Sequence, residues 1–243
     1  MKILEISDEL VASLDIIYED NHLLVLNKKS GQLVQNDITS DITLPEIIKQ
    51  YLKTKYDKPG EVFCGVIHRL DRPVSGVVLF ARTSKALERM SAQFKERVIQ
   101  KTYWAIVKNK PLIEEARLEN YLIKDQVRNR SRITYKQEGA SHAILDYKLI
   151  ASSDRYHLIE VKPITGRHHQ IRVQLSAKGI IIKGDLKYGF DRNNEDGGIS
   201  LHARKLEFTH PVKKEAVTII ADPPKDPLWD YFLNALGEKR IDA

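Results

Sequence analysis

The stretch Gly65-Val66-Ile67-His68-Arg69-Leu70-Asp71-Arg72-Pro73-Val74-Ser75-Gly76 places one carboxylate among cations, in a short segment between two apolar runs. Proline fixes its own φ and restricts the residue before it, so Arg72-Pro73 predicts a turn. The apolar run 77–81 then reads as a buried strand. Asp71 therefore lies where a strand meets a turn, a common place for functional residues. The alternative to a functional role is that Asp71 only stabilises the turn.

The apolar pattern of the rest of the chain predicts many strands and few helices. A hairpin is expected where segments 16–18 and 23–27 flank a polar turn. Helices are expected at 45–52, 84–98, 167–175 and 228–236, from 3.6-residue periodicity and end signals. Further strands are predicted at 103–108, 131–137, 143–150, 158–162, 180–182, 201–208 and 216–220. This order indicates an α+β fold with a mixed, largely antiparallel central sheet.

Length and composition are consistent with one domain. The 243 residues are 42% hydrophobic, enough for a single core, and we expect one domain over 1–243 with a short N-terminal extension, 1–14. No apolar run reaches the length of about 18 residues that a membrane span needs, and the first ten residues do not resemble a signal peptide. We expect a cytoplasmic monomer. Cys64 is the single cysteine, so neither an intrachain disulfide nor a zinc-binding Cys pair is expected.

The charge balance favours a polyanionic partner. Lys and Arg number 39 against 33 Asp and Glu, a formal net charge of +6. Cations concentrate in two segments: Lys124, Arg128, Arg130, Arg132 and Lys136 in one, and Lys95, Arg97 and Lys101 in the other. Such clusters neutralise phosphates, although ordinary solvated faces have the same composition.

Four separated segments resemble the RluA-type pseudouridine synthases. The Asp71 segment is similar to their His-Arg-Leu-Asp-x-x-(Thr/Ser)-Ser-Gly motif, and Leu24-Val25-Leu26-Asn27-Lys28-Lys29-Ser30-Gly31 to their Asn-Lys-Pro-Ser-Gly element. Segment 101–105 resembles the Lys-x-Tyr element, and 161–172 resembles Pro-x-Thr-Gly-Arg-x-His-Gln-Ile-Arg. Lys29, Val74 and Gln174 depart from the usual Pro, Thr and His. The similarity runs from the first hairpin to Pro211.

The resemblance implies a fold, a reaction and three catalytic residues. It implies the pseudouridine synthase catalytic fold, with a cleft across the sheet, acting without a cofactor on uridine in tRNA or rRNA. Asp71 would be the nucleophile, Arg172 the cation that keeps it ionised, and Tyr103 the ring against the target base. Without the resemblance, Arg172 reads as a surface helix arginine and Tyr103 as ordinary strand packing.

The same resemblance suggests residues that bind the substrate. Arg69 would fill the space left when the uridine is extruded, with a phosphate contact as the alternative. His68, Arg167, His169 and Gln170 are predicted to contact the RNA. We do not expect His68, His168 and His169 to bind a metal, because His-Glu-x-x-His spacing and cysteine ligands are missing.

Two other kinds of protein would share parts of this pattern. One is an RNA-binding protein that kept the cleft without catalysis. The other is a hydrolase with two carboxylates, but Asp185 in Gly184-Asp185-Leu186-Lys187-Tyr188-Gly189 looks structural. Many relatives carry an N-terminal S4-type RNA-binding domain. Because the motifs begin almost at once here, we expect no S4 domain, and RNA binding through the chain's own basic segment 124–136.

Overall fold

The structure is a computed structural model that describes residues 6–36 and 41–241. Its helices are α1 (Asp8–Ala12), α2 (Leu44–Lys55), α3 (Ser84–Glu96), α4 (Gln170–Ser176) and α5 (Pro227–Ala235), with a 3₁₀ turn at Leu186–Tyr188. Its strands are β1 (Ile16–Glu19), β2 (Leu23–Lys28), β3 (Gly65–Val66), β4 (Ser75–Ala81), β5 (Gln100–Val107), β6 (Glu115–Asp125), β7 (Arg130–Thr134), β8 (Ser141–Ser152), β9 (His157–Pro163), β10 (Leu201–Thr209) and β11 (Ala216–Ile220).

The described strands form one 11-stranded sheet in the order β1-β2-β4-β10-β5-β9-β8-β6-β7, with β3 against β4 and β11 against β10. β4 and β10 run parallel, with Ser75 opposite His202, whereas the other strand pairs are antiparallel. The α+β class with a largely antiparallel sheet is therefore confirmed. β10, which comes late in the chain, lies in the middle of the sheet.

The central strands are apolar on both faces because helices and loops cover both sides of the sheet. On β4, Val78 and Phe80 pack into the core beneath α2 and α4, while Val77 and Leu79 pack into the core beneath α3. Trp104 on β5 belongs to a third cluster, which includes the apolar side of α5. The face that carries α2 and α4 also carries the functional residues described below.

Gly76 allows the close approach of β4 and β10. Its φ is +112°, and a Cβ at this position would collide with the backbone of Ala203. Only glycine adopts this conformation without strain and leaves that space free. The loop before β4, which contains Asp71, is thereby held close to the start of β10.

Local sequence accounts for most helix positions. Thr43 and Glu46 form a capping box at the start of α2, with Pro45 in its first turn, and the Thr83 hydroxyl caps α3 through the Ala86 N–H. The predicted helices and the first hairpin are confirmed, apart from the ends of helices. Residues 1–5 of the predicted N-terminal extension lie outside the described residues, and Leu10 and Val11 of α1 pack against the core.

Two predicted elements need correction, and the structure adds a strand, β6. α4 begins at Gln170 rather than at residue 167, because His169 has the left-handed φ of 54° and cannot continue a helix. The apolar segment 180–182 forms an isolated bridge between Ile182 and Val107 instead of a strand. β6 was not predicted at all. Its charged and apolar residues alternate, and pairing on both sides with β7 and β8 makes it a strand.

Candidate active site

A cavity of about 540 Å³ opens on the α4 face of the sheet. It lies where the loop before β4 meets β5 and the loop before α4. Its lining includes all eight predicted site residues, namely His68, Arg69, Asp71, Tyr103, Arg167, His169, Gln170 and Arg172. Among the described residues that line it, Asp71 contributes the only carboxylate.

The Asp71 loop is a tight turn anchored in the core. The Val74 N–H donates to the Asp71 carbonyl over 3.0 Å, which confirms the turn predicted from Arg72-Pro73. Leu70 and Val74 on either side are buried in the core, so the turn is fixed at both ends. The Asp71 side chain, in contrast, is 30% exposed, and it lines the cavity.

A buried lysine holds this turn from below. Lys28 is 1% exposed, and its ammonium donates to the carbonyls of Lys29, Arg72 and Val74, at 3.1, 3.0 and 2.7 Å. Burial lowers the pKa of Lys28 to about 7, and the charge of Asp71 opposes this shift. No role for Lys28 is predicted from the sequence, although it lies in the Asn-Lys element. Two of the three hydrogen bonds fix the backbone of the Asp71 turn, and the third goes to the carbonyl of Lys29.

Arg172 joins two carboxylates. Its Nη1 lies 3.1 Å from Asp71 Oδ2, while its Nε and Nη2 lie 2.7 and 2.8 Å from the two oxygens of Asp185. Arg172 is 5% exposed and Asp185 is 1% exposed. Burial works against the charge, but the hydrogen bonds and charges of Asp185 and Asp71 raise the pKa of Arg172 above its ordinary value. The alternative of a surface helix arginine is therefore wrong.

The sequence alone predicts only a structural role for Asp185. It lies just before the 3₁₀ turn and makes a bidentate pair with Arg172, the geometry in which a guanidinium is most firmly oriented. The signal in the sequence is an aspartate in the short segment Lys183-Gly184-Asp185-Leu186-Lys187. Spacing could not reveal a partner that lies on another element.

Tyr103 on β5 is a partly buried phenol close to Asp71. Burial and the negative charge of Asp71 raise the pKa of Tyr103 well above its ordinary value. The side chain is therefore a neutral phenol at neutral pH. Its ring belongs to the cavity wall and also packs against the core.

His169 joins Asp71 to a network behind the cavity. Its Nε2 lies 3.5 Å from Asp71 Oδ2, and its Nδ1 lies 2.9 Å from the Tyr188 hydroxyl, which also accepts the Ser131 N–H. The His168 ring stacks on it at 3.8 Å. Burial, together with the charge of Arg172, lowers the pKa of His169 to about 2. His169 is therefore neutral near neutral pH, and Tyr188 is a further residue that sequence reasoning missed.

Two residues that are predicted to contact the substrate, His68 and Gln170, form hydrogen bonds within the protein. His68 Nε2 accepts the Leu79 N–H at 3.1 Å, and its ring stacks on Phe94. Burial, with Lys101 as a second cause, lowers the pKa of His68 to about 3. The Gln170 Oε1 accepts from the Thr165 hydroxyl and the Arg167 N–H, and its Nε2 donates to the Ile144 carbonyl. The Gln170 amide thus holds the loop before α4, and its direct contact with RNA stays a prediction.

Cations surround the mouth of the cavity. Arg69 and Arg167 are exposed, and Arg167 Nε donates to the His142 carbonyl at 2.9 Å. Lys101 is partly buried in the wall. The β6–β7 hairpin adds Lys124, whose charge helps to lower the pKa of His168 and His169. It also adds Arg130, whose guanidinium lies 4.8 Å from the centre of the Tyr188 ring. The basic segment predicted from sequence is thus beside the cavity.

Within the described part of the chain, no group of three or more His, Cys, Asp or Glu side chains is arranged to hold a metal ion. None of its helices is long and apolar enough to cross a membrane. The cavity thus combines one fixed carboxylate, a neutral phenol, neutral imidazoles and a cationic rim. Asp185, the second carboxylate bound by Arg172, is absent from the cavity wall. This arrangement suits nucleophilic attack better than hydrolysis by two carboxylates.

Comparison with known proteins identifies a family. Residues 22–177 match the model of the RNA pseudouridylate synthase family. The tRNA pseudouridine synthase C of Haemophilus influenzae is 31% identical over 94% of this chain and 100% of its own length. The ribosomal large subunit pseudouridine synthase C of Vibrio vulnificus is 34% identical over 85% of this chain. The chain spans 64% of the length of that Vibrio relative.

Solved structures show the same fold. The human RNA pseudouridylate synthase domain containing 4 superposes with a TM-score of 0.77 and 23% identity, covering 96% of this chain and 97% of that one. The human RNA pseudouridylate synthase domain containing 1 gives a TM-score of 0.69 and 25% identity over 98% of this chain and 99% of that one.

Proposed function

The chain belongs to the RNA pseudouridylate synthase family, and from this we propose that it isomerises specific uridines of structured tRNA or rRNA to pseudouridine. The observation that supports this most directly is the contact of Asp71 with Arg172 in a cavity whose described wall has no other carboxylate. We further propose that the protein is located in the cytoplasm, where such RNA is found. We also propose that it acts as a monomer with a single catalytic domain.

Asp71 is the nucleophile of the proposed reaction. One carboxylate oxygen attacks C1′ of the target nucleotide, the C1′–N1 bond breaks, and uracil leaves with the bonding electrons. A covalent intermediate of this kind divides one difficult displacement into two easier ones. Arg172 orients the carboxylate, since its Nη1 donates to Oδ2. The turn held by Lys28 keeps Asp71 pointed toward the cavity.

The second half of the reaction rebuilds the bond at carbon. The freed uracil turns within the cavity, its C5 attacks C1′, and the aspartate leaves. The C5 proton is then lost and N1 gains a proton, so the reaction has no net redox change. Tyr103 supplies a ring for the uracil to stack on, and its hydroxyl serves proton transfer at C5. Burial and Asp71 keep its pKa high, so it is a neutral phenol that accepts the C5 proton while its own hydroxyl proton passes to water.

A uridine in a stem or stacked loop must leave its neighbours to reach Asp71. Extrusion of the nucleotide is the general solution to this problem. Arg69 lies two residues before Asp71 at the exposed rim. In this proposal its side chain occupies the gap that the extruded uridine leaves, and the nucleotide enters the space lined by Arg167, His68 and His169.

The test is isomerisation by purified protein. Transcripts of tRNA and rRNA with tritium at C5 of uridine should release tritium, and pseudouridine mapping should locate the product. Asp71→Asn keeps the size of the side chain and should lower the rate by at least about 10³-fold. Release by wild-type protein distinguishes catalysis from RNA binding alone, which leaves C5 unchanged. If Asp71→Asn isomerised at the wild-type rate, the proposed mechanism would be wrong.

A further inference from the structure

Lys101 is a cation without a partner in the wall of the cavity. It lies on β5, partly buried, and neither a hydrogen-bond acceptor nor a carboxylate contacts its ammonium within residues 6–36 and 41–241. A Cβ placed on Gly166 would lie 3.8 Å from Lys101 Nζ, so the ammonium faces the backbone of the loop before α4. The missing side chain at Gly166 leaves space beside this charge.

The surroundings of Lys101 add positive charge. Burial lowers the pKa of Lys101, and so does Arg97, which directly follows α3. His68, whose pKa is lowered by burial and by Lys101, is neutral and cannot balance the charge. A partly desolvated ammonium beside a second cation is unfavourable unless an anion occupies the site.

The position of Lys101 relative to the reacting group indicates which anion this is. Lys101 and Tyr103 are two residues apart on one strand and face the same side, about 7 Å apart along it. Tyr103 is close to Asp71, so an anion at Lys101 lies roughly one nucleotide away from the sugar under attack. In RNA the charged group at that distance is a phosphodiester.

We propose that Lys101, supported by Arg97, binds the phosphodiester on one side of the target nucleotide. This inference rests on the proposed function and adds a phosphate subsite to the same cavity. Holding a phosphate next to the extruded nucleotide fixes the backbone about which the nucleotide rotates, and positions the sugar for Asp71.

The experiment uses RNA with a neutral methylphosphonate in place of a single phosphate. After wild-type protein and mapping have identified a modified transcript, two short versions carry the methylphosphonate immediately 5′ or 3′ of the target uridine. Dissociation constants are measured for wild type, for Lys101→Met and Lys101→Arg, and for Lys53→Met. Lys53 is an exposed cation of α2, away from the cavity, and serves as the control.

For wild type and Lys53→Met, one of the two methylphosphonates should weaken binding by about tenfold or more, the scale of a charge-assisted hydrogen bond. Lys101→Met should bind unmodified RNA more weakly than wild type, by about tenfold or more. Its dissociation constant should be the same for unmodified RNA and for RNA with that methylphosphonate. Lys101→Arg should recover most of the affinity.

The outcomes separate the two proposals. If wild-type protein forms no pseudouridine in any transcript, the proposed function fails. If pseudouridine forms, but wild type tolerates both methylphosphonates, the phosphate subsite is excluded, and this measurement does not depend on whether a variant folds. If Lys101→Met keeps the wild-type sensitivity, the phosphate is bound by other residues and the inference is overturned.

Discussion

Asp185 and Arg172 form a buried bidentate pair that leaves a single guanidinium nitrogen, Nη1, for Asp71. The planar guanidinium is fixed by two hydrogen bonds to Asp185, so its position relative to Asp71 is set by a residue that does not line the cavity. Asp185 also balances the charge of Arg172 in the interior. We therefore regard Asp185 as a positioning residue for the nucleophile.

Asp185→Asn should lower kcat about 10- to 100-fold with little change in KM, because Arg172 loses its orientation while the RNA surface is intact. It should also reduce the free energy of unfolding by about 3–5 kcal/mol, the cost of removing one partner of a buried pair. The control is Asp191→Asn, which breaks an exposed pair with Lys108 and should change neither quantity. Single-turnover kinetics and urea unfolding measure both. Unchanged kcat would show that Asp185 has no role in catalysis.

Substitutions at Tyr103 should separate stacking from proton transfer. Tyr103→Phe keeps the ring and should bind RNA with near wild-type affinity, while its isomerisation rate falls about 10²- to 10⁴-fold. Tyr103→Ala should in addition lose about 1–3 kcal/mol of binding free energy from the lost stack. Because the pKa of Tyr103 is raised by burial and by Asp71, the rate should show no phenol ionisation up to pH 9. Equal affinity of the Phe and Ala variants would contradict stacking.

Lys28→Met should loosen the Asp71 turn. Three carbonyl groups lose their donor, and we expect the free energy of unfolding to fall by about 1–3 kcal/mol and kcat to fall with it. The control is Lys29→Met at the exposed neighbouring position. Urea unfolding and tritium release provide the measurements. A fully active Lys28→Met would show that the backbone of the turn is held by other contacts.

The effect of Lys28 on stability should depend on pH. Its pKa is lowered by burial to about 7 in the folded protein and is 10.5 ordinarily, so between these values the unfolded chain binds more protons than the folded one. The difference in free energy of unfolding between wild type and Lys28→Met should therefore rise from pH 7 toward pH 10, by up to about 1.4 kcal/mol per pH unit. Below pH 7 the difference should be constant. If this difference instead fell with rising pH, the pKa of Lys28 would be raised on folding rather than lowered.

Arg69→Ala should impair action on structured RNA selectively. If the side chain fills the gap of the extruded uridine, its loss matters where the neighbouring bases are stacked. We expect kcat/KM to fall about tenfold or more on a folded transcript and to change little on an unstructured oligonucleotide with the same target. An equal loss on both substrates would instead favour the simple phosphate contact.

The β6–β7 hairpin should contribute to RNA affinity through charge. Arg128 is exposed beside Val127 at its tip, and Arg132 is exposed on β7. Replacing both with Gln should lower the slope of log Kd against log salt by about 1.4–2. A double Gln variant at the exposed Lys53 and Lys225 is the matched control. If the Kd of wild type did not depend on salt, the hairpin would not bind RNA through its charge.

Local pattern was sufficient for much of the fold. The alternation and the turn signals predicted the β1–β2 hairpin and β4, and helical spacing predicted α3. β6 was missed because its residues alternate polar and apolar without a β-rich composition, and its partners β7 and β8 stabilise it. The late start of α4 depends on one left-handed residue, His169, which no periodicity reveals.

The sequence motifs predicted which residues form the site, but they did not predict the contacts that hold those residues in place. The resemblance brought Asp71, Tyr103 and Arg172 together, and the structure places all three around one cavity. The contacts of Asp185, Lys28 and Tyr188 were not foreseen, because each joins segments far apart in sequence. The polar partners of Gln170 likewise could not be read from its position in a motif.

The central position of β10 affects when activity can appear during synthesis. Residues 201–209 are inserted between β4 and β5, although both of those strands leave the ribosome much earlier. Until residue 209 has emerged, the nascent chain lacks the strand that joins its two halves, and Arg172 and Asp71 have no common scaffold. A partly made chain should therefore be inert toward the ribosomal RNA that surrounds it.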